Sequence, residues 1–302
     1  MGGVFDDDDL GPVLALDVGG TKLAAAVVDA TGWLMAEAVS IPTRRADVGD
    51  KGAALFEDLV ALGRRALEAA GLDPDVAPVA VGCGSGGPVD AEGGYSPLNI
   101  PAWRAFPLAE RLEATFGCDA YVDNDAKALA VGEGWIGAAA GVRDYIGMVV
   151  STGVGGGIVL NGQLLSGAAG NAGHIGHMIV EPDGAQCLCG ARGCLEAEAS
   201  GTGIATITGR PAAEATDEVK ERTGRLVGRA VASVANLLDL KLAVVAGSVA
   251  LGFGDAFFAA AQEEMDRSCR IGHARDARIR PAGLGASGPL IGAAALAYRR
   301  MR

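Results

Sequence analysis

Two stretches of this chain share one plan, and that repetition limits its possible folds more than any other feature. From Val13 the sequence reads VLALDVGGTKLAAAVVDATGWLMAEAV, and from Tyr145 it reads YIGMVVSTGVGGGIVLNGQLLSG. Each begins with an apolar strand, passes a polar glycine turn and returns in a second apolar strand. A short turn follows, at Ala30-Thr31-Gly32 in one copy and Asn161-Gly162 in the other, and then a third strand. Ser151, Thr152 and Gly153 take the place that Asp17 to Gly19 hold in the first copy, and Gly155 to Gly157 extend the loop. A strand–turn–strand unit used twice predicts an α/β protein built on a duplicated plan, with both glycine turns presented to one cleft.

The turns carry phosphate chemistry. Gly19 and Gly20 let backbone N–H groups approach phosphate oxygens, and Thr21 and Lys22 add donors. Thr152 and Gly153 do the same in the second copy, so the two turns together would grip a polyphosphate. Asp17, at the end of its strand, would repel phosphate unless a cation lay between them, and it is therefore assigned to orient Mg²⁺ or its waters. One such turn alone is equally a structural hairpin; the second copy favours the binding reading. Neither turn opens a helix as the dinucleotide fingerprint requires, and no Walker-type Gly-Lys-Ser/Thr occurs.

A different chemistry sits in residues 171–196, NAGHIGHMIVEPDGAQCLCGARGCLE. His177, Cys187, Cys189 and Cys194 form a closed Cys₃His set, which suits tetrahedral structural zinc and leaves no open position for a catalytic water. The alternative is three buried thiols beside a passing histidine. His174 and Glu196 flank the set, so a bound metal would pin two side chains able to hydrogen-bond a polar ligand. Both glycine turns lie outside this segment, which predicts that metal loss harms binding at His174 and Glu196 more than phosphate binding.

Between the two copies, residues 52–70 read as a helix, and VAVGCGSGGPVD reads as a buried strand entering the turn Gly84 to Gly87. Asn99, in SPLNIPAW, is either a ligand contact or a turn residue. A short helix over Leu108 to Phe116 precedes CDAYVDNDAKALAVGEGW, whose strand ends at Val122 before an alanine-rich helix. Asp123 and Asp125 at that junction serve as helix caps in one reading. In the other, Asp125 faces the cleft and takes the proton of a hydroxyl attacking a γ-phosphate, while Asn124 bonds a neighbouring hydroxyl. Further on, Gly224 to Leu238 has a helical apolar stripe, LAVVAGS gives a strand ending at Gly247-Ser248, and a helix is expected from about Asp255.

The formal net charge of −12 argues against general affinity for nucleic acid or an anionic membrane. No apolar run reaches the roughly 18–20 residues that span a bilayer. The start, with Asp6 to Asp9, is acidic where a signal peptide is basic, and Cys83, Cys118 and Cys269 are isolated, so a cytoplasmic location is expected.

The Asp17-to-Lys22 turn, Asn124-Asp125-Ala126, the Ser151-to-Gly157 loop and the Cys/His signature, in that order, resemble the ROK family (repressors, open reading frames and sugar kinases) from Pro12 to the C-terminus. The resemblance implies a duplicated ribonuclease H-like, actin/hexokinase-like ATPase fold with two domains around a central cleft. The divisions expected are a flexible acidic arm 1–11, a smaller domain 12–124 plus 288–302, and a larger domain 125–287 holding the zinc segment. It also implies an ATP-dependent hexokinase-type phosphotransferase that uses ATP, Mg²⁺ and structural Zn²⁺ and acts on the C6 hydroxyl of a hexose or N-acylhexosamine. Asp125 matches the family's catalytic base, and Gly247-Ser248 its adenosine segment. Gly87, Asn99, Asn124, Asp125, His174, His177 and Glu196 would line the sugar pocket of a homo-oligomer, dimer or tetramer. Glucokinases of the family usually read Gly-Glu-Ile-Gly-His where this chain has His174, and bacterial N-acetylmannosamine kinases share that histidine; glucose and N-acetylmannosamine stand nearly level. The family's repressors carry a helix-turn-helix before the first glycine turn, where this chain has about a dozen residues including the acidic run Asp6 to Asp9. The kinase branch is expected, with a sugar-binding regulator lacking turnover as the alternative.

Overall fold

The computed structural model describes residues 10–44, 52–97 and 100–301; the acidic run up to Asp9 and the candidate Asn99 lie outside them. In chain order the first elements are β1 (Val13–Val18), β2 (Lys22–Val28), β3 (Val39–Pro42), α1 (Ala53–Ala69), β4 (Val81–Ser85), α2 (Leu108–Phe116), β5 (Ala120–Asn124) and α3 (Asp125–Trp135). Then come β6 (Tyr145–Val150), β7 (Val154–Leu160), β8 (Gln163–Leu164), α4 (Leu195–Ala199), α5 (Gly201–Thr208) and α6 (Asp217–Leu238). The last are β9 (Leu242–Ala246), α7 (Ser248–Ser268), β10 (Arg278–Pro281) and α8 (Gly288–Arg300).

These elements form two compact units. One runs to Ile136 and also holds Ser166–Ala172 and the chain from Ala286; the other holds Gly137–Leu165 and Gly173–Gly285. Each has a five-stranded sheet, ordered β3-β2-β1-β4-β5 in the first and β8-β7-β6-β9-β10 in the second. In both, the first three strands of the unit are antiparallel, the fourth pairs in parallel with the first, and the fifth pairs in parallel with the fourth. The repeat seen in the sequence is therefore a repeat of topology, and the α/β fold is the duplicated one expected.

In the first unit the strand alternation sorts side chains by size. Leu14, Leu16 and Val18 pack with Leu55, Leu59 and Leu62 of α1 on one face. Burial of each such leucine contributes about 1.5–3 kcal/mol. The other face is lined by Val13, Ala15, Ala24 and Ala26 and receives α8 through Leu290, Ala293 and Ala297. A Cβ at Gly82 would lie 1.9 Å from the carbonyl oxygen of Ala293, so that face must stay small for α8 to lie on it. In the second unit β6 and β9 share a core with α6 and α7, through Met148, Val245, Val227, Val231 and Phe257.

Several boundaries differ from the sequence reading. α3 belongs to the first unit, because it packs along α8: a Cβ at Gly292 would meet the Ala128 carbonyl at 2.4 Å. The division expected at Asp125 falls after this helix. Leu10 packs against the first unit's core and the Tyr298 hydroxyl donates to the Gly11 carbonyl, so the expected arm 1–11 loses its last two residues to the body. The third strand begins only at Val39, since Asp29 accepts from the backbone of Thr31 and Trp33 and curls the chain first. α7 starts at Ser248 rather than near Asp255, with a break in helical geometry at Gly254. Gly155 to Gly157 lie within β7 and not in the turn. Among the described residues no helix is long and apolar enough to cross a membrane.

Candidate functional site

The first unit gathers Asp17, the Gly19–Lys22 turn, Asn124 and Asp125 at one end of its sheet. Asp17 pairs in register with Gly84, and Gly84 with Asp123, so β1, β4 and β5 end side by side. With glycine between them, nothing bulky separates Asp17 from the β5–α3 junction. Burial, reinforced by the Asp125 carboxylate and only partly offset by Lys22, pushes the Asp17 carboxyl up to about 7. Two carboxylates held this closely create a demand for positive charge that a divalent cation would meet.

The turn itself is braced from within. The Gly19 N–H donates to the Lys22 carbonyl (3.0 Å), the Thr43 hydroxyl to the Gly19 carbonyl (2.7 Å) and the Thr43 N–H to the Thr21 carbonyl (3.0 Å). Gly20, Thr21 and Lys22 are exposed. Asn124 is the N-cap of α3, its Oδ1 accepting from Ala126 (3.0 Å) and more distantly Lys127 (3.4 Å). Its amide NH₂ is the end left for a ligand hydroxyl. One Asp125 oxygen accepts the Ala126 N–H at 2.8 Å, so the cap role and a site role coexist in one carboxylate. Gly87 lies partly buried in the turn after β4.

In the second unit the turn Ser151–Gly153 joins β6 to β7, and Ser151 and Ser248 hydroxyls lie 2.9 Å apart. That contact sets the turn beside the start of α7, where Gly247 takes φ +101. Helix N-termini bring unpaired N–H groups and favour anions.

The Cys/His set closes as expected. One ligand atom from each of His177, Cys187, Cys189 and Cys194 lies within 4.8 Å of the others. Cys187 Sγ is 3.8 Å from His177 Nδ1, and the sulfurs of Cys189 and Cys194 are 3.7 Å apart. Ligands about 2.0–2.3 Å from a tetrahedral zinc would stand about 3.6–3.8 Å from one another, so the donor set and its spacing fit that ion. Burial and the neighbouring thiols push Cys194 up to about 12, while the Ala191 backbone holds Cys189 down. The His174 ring lies nearly parallel to that of His177, centroids 6.2 Å apart.

Beneath this cluster the chain packs backbone to backbone. A Cβ at Gly176 would lie 2.2 Å from the Val154 carbonyl, and one at Gly173 would lie 2.2 Å from that of Gly156. The glycines of β7 and of the His174 segment thus serve close contact between the two.

A family profile matches residues 13–300, and its description is the ROK family. The chain belongs to the ROK family. An N-acetylmannosamine kinase of Yersinia pseudotuberculosis is 37% identical over 261 residues, covering 81% of this chain and 86% of that one. The ROK hexokinase of Thermus thermophilus superposes with a TM-score of 0.81 at 34% identity, covering 96% of this chain and 99% of the other. A ROK glucokinase from Streptomyces griseus, solved with glucose and AMPPNP, gives 0.77 at 30% identity, with 95% and 99% covered.

Three side chains of this ROK protein that support the site were not singled out in the sequence. Lys127 is 1% exposed and donates to Asp123 (2.8 Å) and to the Gly170 carbonyl (2.9 Å). Its Asp-x-x-x-Lys spacing was a readable i,i+4 signal. Asn171 clamps the Val89 backbone at both ends, accepting at 3.0 Å and donating at 2.8 Å. Buried Glu198 accepts the Ala185 N–H and pairs with Arg222, holding the loop that carries the cysteines. Its partner lies a helix away, and no local pattern announces it.

Proposed function

We propose that this ROK protein is an ATP- and Mg²⁺-dependent sugar kinase that transfers the γ-phosphate to the C6 hydroxyl of a hexose or N-acylhexosamine. The observation that carries the reading is the Asp17–Asp125 carboxylate pair beside a braced glycine turn, where one acid has its pKa raised by burial and by the other. Asn124 orients the sugar through its amide, and Asp125 takes the proton of the attacking hydroxyl as the oxygen moves onto phosphorus. Each glycine turn offers N–H groups suited to phosphate oxygens, and Gly247-Ser248 serve the nucleoside side. Asp17 orients Mg²⁺ or its waters; when bound, that ion neutralises charge on the phosphates. Zn²⁺ held by His177, Cys187, Cys189 and Cys194 supplies local folding free energy and orders the segment bearing His174 and Glu196.

The two sugars best supported are N-acetylmannosamine, on which the Yersinia relative is named to act, and glucose, bound in the Streptomyces structure. His174, an imidazole rather than an acceptor-only carboxylate, leaves room for an acetamido group beside the C1–C2 edge. ADP release by purified protein with MgATP and a panel containing both sugars tests the proposal. Binding of a sugar without ADP release for any member of the panel would refute it in favour of a sugar-responsive regulator.

A further inference from the structure

The Cys/His cluster and the second glycine turn are far apart in sequence yet share one short hydrogen-bonded bridge within the second unit. Cys194 is followed by Leu195 and Glu196, the first residues of α4. Glu196 Oε2 accepts the backbone N–H of Val154 at 3.0 Å. It lies so close to the turn that a Cβ on Gly153 would stand 2.8 Å from it. Farther along, the Gly201 N–H donates to the Ser151 carbonyl (2.7 Å) and the Thr202 hydroxyl to the Thr152 carbonyl (3.0 Å). Ser200, whose hydroxyl accepts the Gly203 N–H at 2.9 Å, caps α5 and sets those two donors in place.

The consequence lies in the Gly153–Val154 peptide. Its carbonyl accepts the Ser151 N–H at 2.9 Å and its N–H is held by Glu196, so both polar ends are fixed. A peptide plane pinned at both ends fixes the direction of the groups before it. Among the described residues the N–H groups of Thr152 and Gly153 have no partner, and these are the donors a phosphate would use.

We propose that Glu196 is a positioning residue for nucleotide binding, transmitting the order of the Cys/His cluster to the phosphate turn Ser151–Gly153. This rests on the kinase reading above and revises the expectation that metal loss affects nucleotide binding much less than binding at His174 and Glu196. A negative charge beside phosphate would by itself weaken nucleotide binding, so the carboxylate is there for its geometry. Glutamine keeps an acceptor oxygen and removes the charge, whereas alanine removes the acceptor.

The test is MgATP affinity without sugar, by calorimetry, for the wild type, Glu196→Gln, Glu196→Ala and the zinc-depleted wild type. Glu196→Ala frees the Gly153–Val154 peptide that sets the two phosphate donors, so it should raise the Kd roughly tenfold. Glu196→Gln should bind as well as wild type or better, and it also serves as the folded control. Zinc depletion should weaken binding in the same direction as Glu196→Ala. Equal MgATP affinity in wild type and Glu196→Ala would overturn the proposal, as would tighter binding in both variants, which would make charge the only contribution. A wild type that binds no MgATP would refute the kinase reading instead.

Discussion

Replacing Asp17 with asparagine should flatten the pH dependence of stability in the first unit. In the folded chain the Asp17 carboxyl is raised from 3.8 to about 7. A tenfold change in an acid's dissociation constant corresponds to about 1.36 kcal/mol, so ionising this group in the fold costs up to about 4 kcal/mol. Because the folded value lies above the unfolded one, the folded state binds the extra proton. Stability from this group is therefore fully present below 3.8 and is lost as pH rises to about 7. Between about pH 5.5 and 8.5, away from the isoelectric point, the share of the loss is about 2 kcal/mol as a ceiling. Partial solvent exposure of Asp17 brings the expected figure to about 1–2 kcal/mol. All three tryptophans, Trp33, Trp103 and Trp135, belong to the first unit, and Trp103 is fully buried, so fluorescence during urea unfolding reports this unit. In metal-free buffer the wild type should lose that much more stability than Asp17→Asn between the two pH values. Parallel pH profiles would refute an Asp17 carboxyl raised by burial, with Asp125 beside it.

Other substitutions separate the remaining roles. Asp125→Asn should keep sugar binding and lower kcat by about 10²–10⁴-fold; turnover within a few-fold of wild type would reduce Asp125 to the helix cap it also is. Lys127→Met, which strands Asp123 and the Gly170 carbonyl, should cost the first unit about 1–3 kcal/mol in the same urea assay. A change below about 0.5 kcal/mol, the size typical of plain surface substitutions, would show the buried lysine to be idle. Elemental analysis of protein purified without chelator should find one zinc per chain and much less in Cys189→Ala; no zinc in the wild type would refute the metal assignment.

The parts of the fold that are readable in the sequence are those with local causes. The apolar run Val13, Leu14, Ala15 and Leu16 announces a strand buried on both faces, and Asn161-Gly162, both with positive φ, make the tight hairpin between β7 and β8. The Cys/His spacing brings its four side chains together because short loops leave them few other places to go. What the sequence hides depends on contacts made across the fold. β10 has one buried apolar side chain, Ile279, and is a strand because β9 lies beside it. Gly155 to Gly157 read as more phosphate loop, yet Gly156 is where the His174 segment presses on β7. Glu196 reads as a polar-ligand contact from its nearness to Cys194 in the chain, and as a sugar contact by the family resemblance, but its bond to Val154 exists only once both segments are folded. That bond and a sugar contact can belong to the same carboxylate, since Glu196 has a second oxygen.

Positional analysis of the product tests the central claim most directly. The protein and MgATP would be incubated with glucose and, separately, with N-acetylmannosamine, and the product examined by ³¹P and ¹³C magnetic resonance. Phosphate should appear on the C6 oxygen of at least one of these sugars with wild-type protein and be strongly reduced with Asp125→Asn. No phosphorylated sugar from either, or phosphate at C6 formed equally fast by both proteins, would contradict a kinase built on Asp125.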